Sequence, residues 1–249
     1  ALSRVIAEEI AYGGLDLDVG LKVEKDLSVQ RTTLEMTDEK PKGEFVQFDA
    51  GDVLLVSGGG RGVTADCLIQ LVQHQVELGM TIPRIVLLGR TPLSDDPFPE
   101  LASEREILSA LMIQAKKQGK IIKPSGARRA AQKVLAARDI RYTQHTLQGL
   151  GAQVAYLSVD VTDTEAVLQA VQILNWGPIT GIIHGAGVLA DKSIHDKSKE
   201  DFEWVNDVKV KGMETLFSIL DQKNPKLAVF FSSVAARTGN AGQSDYAAA

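Results

Sequence analysis

The sequence predicts a doubly wound α/β fold of the Rossmann type, in which helices cover both faces of a parallel sheet. Two observations support this prediction. Five short, unbroken apolar runs alternate with stretches of helical periodicity, and a glycine-rich loop joins the first run to the helix after it. Unbroken apolar runs are typical of strands that are buried on both faces. The five runs cover residues 52–57, 84–89, 154–160, 181–187 and 226–233.

The first 42 residues have a different pattern and predict a small α+β segment. The elements predicted there are a helix over 1–14, two strands of a hairpin over 15–23 and 30–36, and a polar linker over 37–44. We place the domain boundary near Lys42. The chain therefore divides into residues 1–42 and a sheet-containing domain over 43–249.

The composition is that of a globular protein with a modest negative charge. Apolar residues make up 44% of the chain and the net charge is −5, which argues against wholesale nucleic-acid binding. The single cysteine, Cys67, excludes an internal disulfide and a cysteine-based zinc site, and it fits a reducing cytoplasm. No apolar run is long enough to span a membrane, and the first residues do not have the pattern of a signal peptide. We expect a cytoplasmic protein without a metal, a nucleic-acid partner or a membrane partner.

A basic helical insertion is predicted between the second and third strands, at about 92–150. The two strands are about sixty residues apart, far more than one crossover helix needs. Apolar residues at helical spacing over 101–115 and 127–140 indicate two helices. Residues 100–150 contain ten lysines and arginines against four acids. This charge is typical either of a solvated helix face or of a docking surface for an acidic partner.

The loop after the first strand predicts a dinucleotide-binding site. It contains Ser57, Gly58, Gly59, Gly60, Arg61, Gly62 and Val63 and leads directly into a helix. Glycines let the backbone turn tightly and approach a pyrophosphate, and the start of a helix offers N–H groups to phosphate oxygens. The alternative is a plain glycine-rich turn. The spacing resembles the T-G-x-x-x-G-x-G fingerprint of short-chain dehydrogenases/reductases, with Ser57 in place of the threonine and Thr64 in place of the last glycine.

Arginine at the end of the second strand favours NADPH over NADH. NAD enzymes of this fold usually have an acid there for the ribose 2′-hydroxyl, whereas this chain has Arg90, with Arg61 in the glycine loop. A guanidinium group can bind a 2′-phosphate through two hydrogen bonds. The alternative is that Arg90 is a surface residue without a ligand.

Two further segments match positions beside the cofactor in the short-chain family. Asp160 and Val161 match the adenine-contacting position, although Thr162 or Asp163 there could also simply cap the next helix. Residues Gly185, Ala186 and Gly187 occupy the place of the family's N-A-G segment. We assign no chemistry to His184, which precedes them.

Three longer segments resemble the ketoreductase domains of modular polyketide synthases and, more closely, those of bacterial polyunsaturated fatty acid synthases. They are GIIHGAGVLADKSI (181–194), VNDVKVKGMETL (205–216) and FFSSVAARTGNAGQSDYAAA (230–249). The resemblance covers residues 45–249, and residues 1–42 are similar to the end of the cofactor-free subdomain that precedes such domains. The resemblance to these ketoreductase domains implies NADPH-dependent reduction of a β-ketoacyl thioester on an acyl carrier protein, with other synthase domains as partners.

The resemblance implies three catalytic residues. Tyr246 lies thirteen residues after Ser233, and Lys209 lies twenty-four before it, as in the family. There the tyrosine protonates the ketone oxygen, the lysine stabilises the phenolate, the serine binds the oxygen and NADPH supplies hydride. Taken singly, Tyr246 and Lys209 would be a core tyrosine and a surface lysine. The family's fourth residue, an asparagine, would be residue 250, so we expect a fragment that lacks the substrate lid.

A short motif implies the stereochemistry, and two other functions remain open. Leu189 and Asp191 match the ends of the L-x-D motif of the class that forms a 3R hydroxyl, and Thr238 stands where the opposite class has tryptophan; the alternative for Asp191 is a helix cap. One other function is a cofactor-binding or structural module without turnover. The second is a stand-alone short-chain reductase, although Lys209 occupies the place where such enzymes usually have asparagine.

Overall fold

The chain forms two compact units, Ala1–Phe45 and Val46–Ala249. The computed structural model describes residues 19–23, 29–33, 45–220 and 225–249. In the first unit, β1 (Val19–Val23) pairs antiparallel with β2 (Val29–Thr33), which confirms the pairing of the two predicted strands. The helix predicted over 1–14 and the linker predicted over 37–44 lie outside the described residues.

The second unit is built on five parallel strands, which confirms the predicted doubly wound sheet. The strands are β3 (Val53–Ser57), β4 (Arg84–Gly89), β5 (Val154–Ser158), β6 (Ile179–His184) and β7 (Leu227–Phe230). Their order in the sheet is β5-β4-β3-β6-β7, and every neighbouring pair is parallel. Each strand lies within the predicted run or differs from it by a few residues.

Helices connect the strands, and two of them form the predicted insertion. The helices are α1 (Gly62–Glu77), α2 (Glu104–Lys117), α3 (Pro124–Gly149), α4 (Thr164–Leu174), α5 (Lys199–Ser218), α6 (Val234–Thr238) and α7 (Ser244–Ala248). Ser103 and Ser198 start α2 and α5 with capping boxes, because each side chain accepts the N–H that the helix leaves free. Among the described residues, no helix is both long enough and apolar enough to cross a bilayer.

Alternate residues of β3 face two different cores, one on each side of the sheet. Leu54 and Val56 pack in one core, which also contains Leu68 of α1 and Leu147 of α3. The second core contains Val53 and Leu55 together with Val167 of α4 and Leu216 of α5. Fully burying such a side chain stabilises the fold by roughly 1.5–3 kcal/mol. Burial on both faces explains why β3 has no polar residue before Ser57.

The strand order places a crevice beside β3. The chain runs from β3 to β4 and β5 on one side and then crosses to β6 and β7 on the other. Ligands bind outside the carboxyl ends of the strands at such a reversal. The ends of β3 and β6 meet there, since the N–H of Gly185 donates to the carbonyl of Ser57 at 2.9 Å.

Arginines of α3 hold the segment before α2. Nε of Arg138 donates to Asp96 at 2.6 Å, and both side chains are about four-fifths buried. Arg141 donates to the carbonyl of Ser94. Arg138 and Arg141 of the basic insertion therefore bind other parts of the same domain, whereas Arg128 and Arg129 are exposed.

Candidate active site

A cavity of about 790 Å³ lies at the carboxyl ends of the strands. Most of the residues predicted to bind the cofactor line it, namely Ser57, Gly58, Gly60, Arg61, Gly62, Arg90, Asp160, Val161, Gly185, Ala186 and Gly187. Two others do not line it. Gly59 packs beneath the loop against Val56, and the Val63 side chain is 70% exposed.

Gly58 brings the ends of β3 and β6 into close approach. Its φ angle is +72°, a left-handed conformation that favours glycine. A Cβ atom there would lie only 2.6 Å from the backbone nitrogen of Ala186. The absence of a side chain thus opens the turn on which a dinucleotide's phosphates would lie.

The start of α1 suits an anionic group. Arg61 precedes the helix and makes no side-chain hydrogen bond to the first turn, and that turn contains no acid. The N–H groups at this end are therefore available to phosphate oxygens, which the helix dipole also favours. The volume, the glycine backbone and the nearby Arg90 fit a nicotinamide dinucleotide.

Thr64, which replaces the family's last glycine, is accommodated by Gly185. The Thr64 side chain is buried, and a Cβ atom on Gly185 would lie 2.0 Å from its Oγ1. Two atoms cannot share that space, so the side chain gained at Thr64 requires the glycine at position 185. In this chain the residue without a side chain is Gly185 and not residue 64. The end of β6 and the start of α1 therefore stay close together.

Arg90 lies at the rim of the cavity, about half exposed. Its Nη1 atom is 3.9 Å from Oδ2 of Asp160, and its guanidinium carbon is 6.0 Å from the ring centre of Trp204. The Asp160 carboxylate also accepts from the N–H of Thr162. Asp163 caps α4 by accepting from Ala166. The cofactor and capping interpretations of this segment are therefore compatible.

A second, smaller cavity of about 110 Å³ brings together the three predicted catalytic residues, Lys209, Ser233 and Tyr246. Nζ of Lys209 lies 5.5 Å from the ring centre of Tyr246 and donates to the carbonyl of Phe231 at 2.8 Å. An ammonium group has three donors, so Lys209 keeps two for other partners.

The two cavities adjoin at Gly187. This residue lines the larger cavity, and a Cβ atom on it would lie 3.2 Å from Cε of Lys209 and 3.6 Å from Cε2 of Tyr246. A group that occupies the larger cavity as far as Gly187 therefore comes within contact distance of the predicted catalytic side chains of Lys209 and Tyr246.

Ser233 is placed by the helix that follows it. Its Oγ atom accepts from the N–H of Ala235 at 3.1 Å and so caps α6. This contact uses a lone pair of the hydroxyl, whose proton can still be donated to a substrate oxygen.

His184 connects β3 to α5 and was not assigned chemistry from the sequence. Its Nε2 lies 2.9 Å from the carbonyl of Lys209, which can only accept, so Nε2 carries the proton. Nδ1 then accepts from the hydroxyl of Ser57 at 2.5 Å. Burial lowers the pKa of His184, and this favours the same neutral form. The ring thus fixes the backbone of the predicted catalytic lysine.

Asp191 does not cap a helix. Its Oδ2 atom accepts from Nε2 of Gln243 at 3.0 Å, three residues before Tyr246. The predicted L-x-D motif is thereby joined to the segment that leads into α7.

A family model described as the KR domain matches residues 53–249 of this chain. The chain belongs to this family. Membership places it among ketoreductase domains, a class of oxidoreductases, and confirms the family that the sequence motifs indicate.

Two curated relatives resemble this KR domain over most of its length. One subunit of the polyunsaturated fatty acid synthase of Thraustochytrium sp. is 34% identical over 234 residues, which are 88% of this chain and 8% of the relative. Polyketide synthase PksL of Bacillus subtilis is 31% identical over 210 residues, 82% of this chain and 4% of the relative. The chain therefore spans less than a tenth of the length of either large synthase.

Solved structures support the same fold. A ketoreductase domain from the bacillaene assembly line is 25% identical, with a TM-score of 0.57, over 92% of this chain and 43% of that one. An NAD⁺-bound xylitol dehydrogenase is 18% identical, with a TM-score of 0.52, over 80% of this chain and 59% of that one. The second protein binds a nicotinamide cofactor on the same fold.

Some residues lining the KR domain's larger cavity come from the insertion and were not predicted. Lys133, Asp139 and Ile140 of α3 lie on its wall. The helix is held there because Oγ1 of Thr143 donates to the carbonyl of Gly60 at 2.9 Å. Ile140 is one of the apolar residues whose spacing predicted a helix over 127–140. No local signal shows which strand ends such a crossover helix will cover.

Because Lys209 is buried, we predict that the activity of this KR domain falls at a lower alkaline pH than an exposed lysine would give. Desolvation lowers the pKa of Lys209 because the charged ammonium is the form that loses hydration. If the ammonium stabilises the phenolate, kcat falls as pH rises through this lowered pKa, below the ordinary lysine value of about 10.4. Measuring kcat from pH 7 to pH 11 tests this. Lys209→Arg, which stays charged, should shift the limb to higher pH, and an unchanged limb would contradict the assignment.

Proposed function

We propose that this KR domain uses NADPH to reduce a β-ketoacyl thioester, carried by an acyl carrier protein, to the 3-hydroxyacyl thioester. The observation that carries the proposal is the meeting of Lys209, Ser233 and Tyr246 in one cavity that adjoins a cofactor-sized cavity at Gly187. The product would enter polyketide or polyunsaturated fatty acid biosynthesis. The Asp191 motif favours the 3R configuration.

The three side chains supply the proton and stabilise charge. When bound, the nicotinamide would supply the hydride that the carbonyl carbon takes up. The electron pair of the C–O π bond moves to the oxygen, which takes the phenolic proton of Tyr246. The ammonium of Lys209 stabilises the resulting phenolate, and the hydroxyl of Ser233 donates a hydrogen bond to the same oxygen.

The test is turnover of a β-ketoacyl thioester by the full chain. We expect oxidation of one NADPH for each 3-hydroxyacyl thioester formed. A folded protein that binds NADPH but gives no hydroxyacyl product would favour the alternative of a non-catalytic module. Faster reduction of small free ketones than of thioesters would favour a stand-alone reductase.

Arg90 is proposed to select NADPH through its 2′-phosphate. A hydrogen bond to a charged group contributes about 1.5–3 kcal/mol, so we expect Arg90→Ala to weaken NADPH binding roughly 10- to 100-fold. NADH binding should change less than about threefold, because NADH has no phosphate at that position. Equilibrium titration of both nucleotides measures the ratio. Arg105→Ala, on an exposed face of α2, is the control, and an equal loss for both nucleotides would contradict the assignment.

The basic insertion is proposed to bind the acidic carrier protein. Arg128 and Arg129 are exposed at the start of α3, although Arg128 also donates to Glu104 at 3.1 Å. We expect Arg128→Glu/Arg129→Glu to raise KM for carrier-bound substrate about tenfold, on the order of 1.4 kcal/mol, and to leave KM for a carrier-free thioester unchanged. Lys211→Glu on α5 is the control. An unchanged KM for the carrier-bound substrate would reject this surface.

We also propose a setting for the domain. Residues 1–42 would end a cofactor-free subdomain, and other domains of a parent synthase would be partners. The small share of each large relative that this chain covers favours such a setting. A cytoplasmic location and the boundary near Lys42 stay predictions.

A further inference from the structure

A buried ion pair lies next to Tyr246 and has no part in the chemistry proposed above. Nζ of Lys197 is 2.7 Å from Oδ2 of Asp245, and the two side chains are 4% and 0% exposed. We propose that Lys197 and Asp245 form a positioning pair that places Tyr246 for proton transfer. This inference rests on the proposed function, because it assigns the pair to the proton donor of that reaction.

Burial makes each member of the pair depend on the other. An isolated charge is costly to keep away from water, whereas a matched pair offsets much of that cost. The ammonium of Lys197 is close to Oδ2 of Asp245, but the two groups are not aligned for a hydrogen bond. Attraction between opposite charges therefore holds the contact, and a neutral side chain of the same shape at residue 245 would lose it.

The carboxylate of Asp245 is connected directly to the residue it would position. Its Oδ1 atom accepts from the backbone N–H of Tyr246 at 2.9 Å. Helix α7, which contains both residues, is five residues long. Helices this short are not stable by themselves, so contacts with the rest of the fold must hold α7 in place.

The ammonium of Lys197 connects α7 to the loop that follows β6. Besides facing Asp245, it donates to the carbonyl of Ala190 at 2.8 Å. The same loop contacts the chain before α7, since the N–H of Lys192 donates to the carbonyl of Gly242 at 3.1 Å. Ala190 is the central residue of the L-x-D motif. The ion pair is thus the buried connection between this motif and the helix of Tyr246.

The experiment compares four variants in the full chain, namely Lys197→Met, Asp245→Asn, the double variant Lys197→Met/Asp245→Asn, and Lys197→Arg. Each is assayed for kcat with the β-ketoacyl thioester, for NADPH affinity and for its unfolding midpoint. Lys211→Met, at an exposed position of α5, is the control. A pair that only stabilises the fold would change the unfolding midpoint, whereas a positioning pair changes kcat in protein that is fully folded.

We expect the double variant to unfold close to the wild-type midpoint, because no unpaired charge remains buried. Its kcat should still fall at least about tenfold, with NADPH affinity within about twofold, because the helix that carries Tyr246 has lost its charged contact with Lys197. Lys197→Arg, which keeps the charge, should retain kcat within about threefold. A double variant with wild-type kcat would overturn the inference, even if the single variants fail to fold.

A second measurement separates this inference from the proposed function. Amide exchange of residues 242–249 should be at least about tenfold faster in the double variant than in the wild type, because α7 loses a contact. If the wild type gives no turnover, the proposed function fails, and the exchange rate then decides whether the pair positions α7. Equal exchange rates would overturn the positioning role.

Discussion

We expect Tyr246→Phe to lower kcat by roughly 10²- to 10⁴-fold, the usual contribution of a positioned proton donor. Phenylalanine keeps the ring, which lies 5.5 Å from Nζ of Lys209 and against Gly187, and removes only the hydroxyl. The ketone oxygen would then have to take its proton from water. The measurements are kcat with a β-ketoacyl thioester and the dissociation constant for NADPH, which should stay within about twofold.

A second tyrosine supplies the control for this variant. Tyr142 lies on α3, where its side chain is 70% exposed, so Tyr142→Phe should leave kcat unchanged. If Tyr246→Phe kept more than about a tenth of wild-type kcat, Tyr246 would not be the proton donor. If it lost NADPH binding as well, the hydroxyl of Tyr246 would serve the cofactor cavity instead.

Gly58→Ala should have the largest effect on stability and cofactor binding together. A non-glycine residue at the φ of +72° costs about 1–2 kcal/mol, and overpacking typically adds about 1–3 kcal/mol. The new Cβ would lie 2.6 Å from the backbone nitrogen of Ala186, which follows β6 closely and cannot move like a flexible side chain. We therefore expect the free energy of unfolding to fall by roughly 2–5 kcal/mol, as measured by urea denaturation.

NADPH binding should weaken at least about tenfold in the same variant, because the displaced backbone belongs to the turn that faces the phosphates. Gly149→Ala is the matched control. Gly149 ends α3, and a Cβ atom there would meet nothing within 4 Å. Alanine favours helix over glycine by roughly 0.5–1 kcal/mol, so this control should be neutral or slightly stabilising. Equal effects of the two substitutions would contradict the close approach at Gly58.

The elements that the sequence predicts well are those with a local signal. The residues of β3 are apolar without interruption because both faces are buried, and an apolar run is visible in the amino-acid sequence alone. The spacing from Lys209 to Ser233 and Tyr246 was equally informative, because helix and strand lengths within one fold set the number of residues between them. The three residues share one cavity although up to 37 positions separate them in the chain.

Contacts between distant side chains could not be predicted in the same way. Lys197 lies in the loop after β6 and Asp245 lies in α7. Charged residues are nearly always exposed, so nothing local indicates that these two form a buried pair. The fit between Thr64 and Gly185 could not be predicted either. In the sequence, Thr64 only departs from the glycine fingerprint, and the structure is needed to show that Gly185 lies beside it. Only tertiary packing decides both cases.

Lys209 is held at both ends, which has a consequence for the entropy cost of the catalytic role proposed for it. His184 fixes its backbone carbonyl, and the carbonyl of Phe231 fixes its ammonium. A lysine that becomes ordered loses about 1.5–2 kcal/mol of rotamer freedom. In this protein the side chain of Lys209 is already ordered in the folded state. Substrate binding therefore does not have to order its ammonium again. The rotamer of Lys209 is thus preorganised, before any ligand binds, for the role proposed for it.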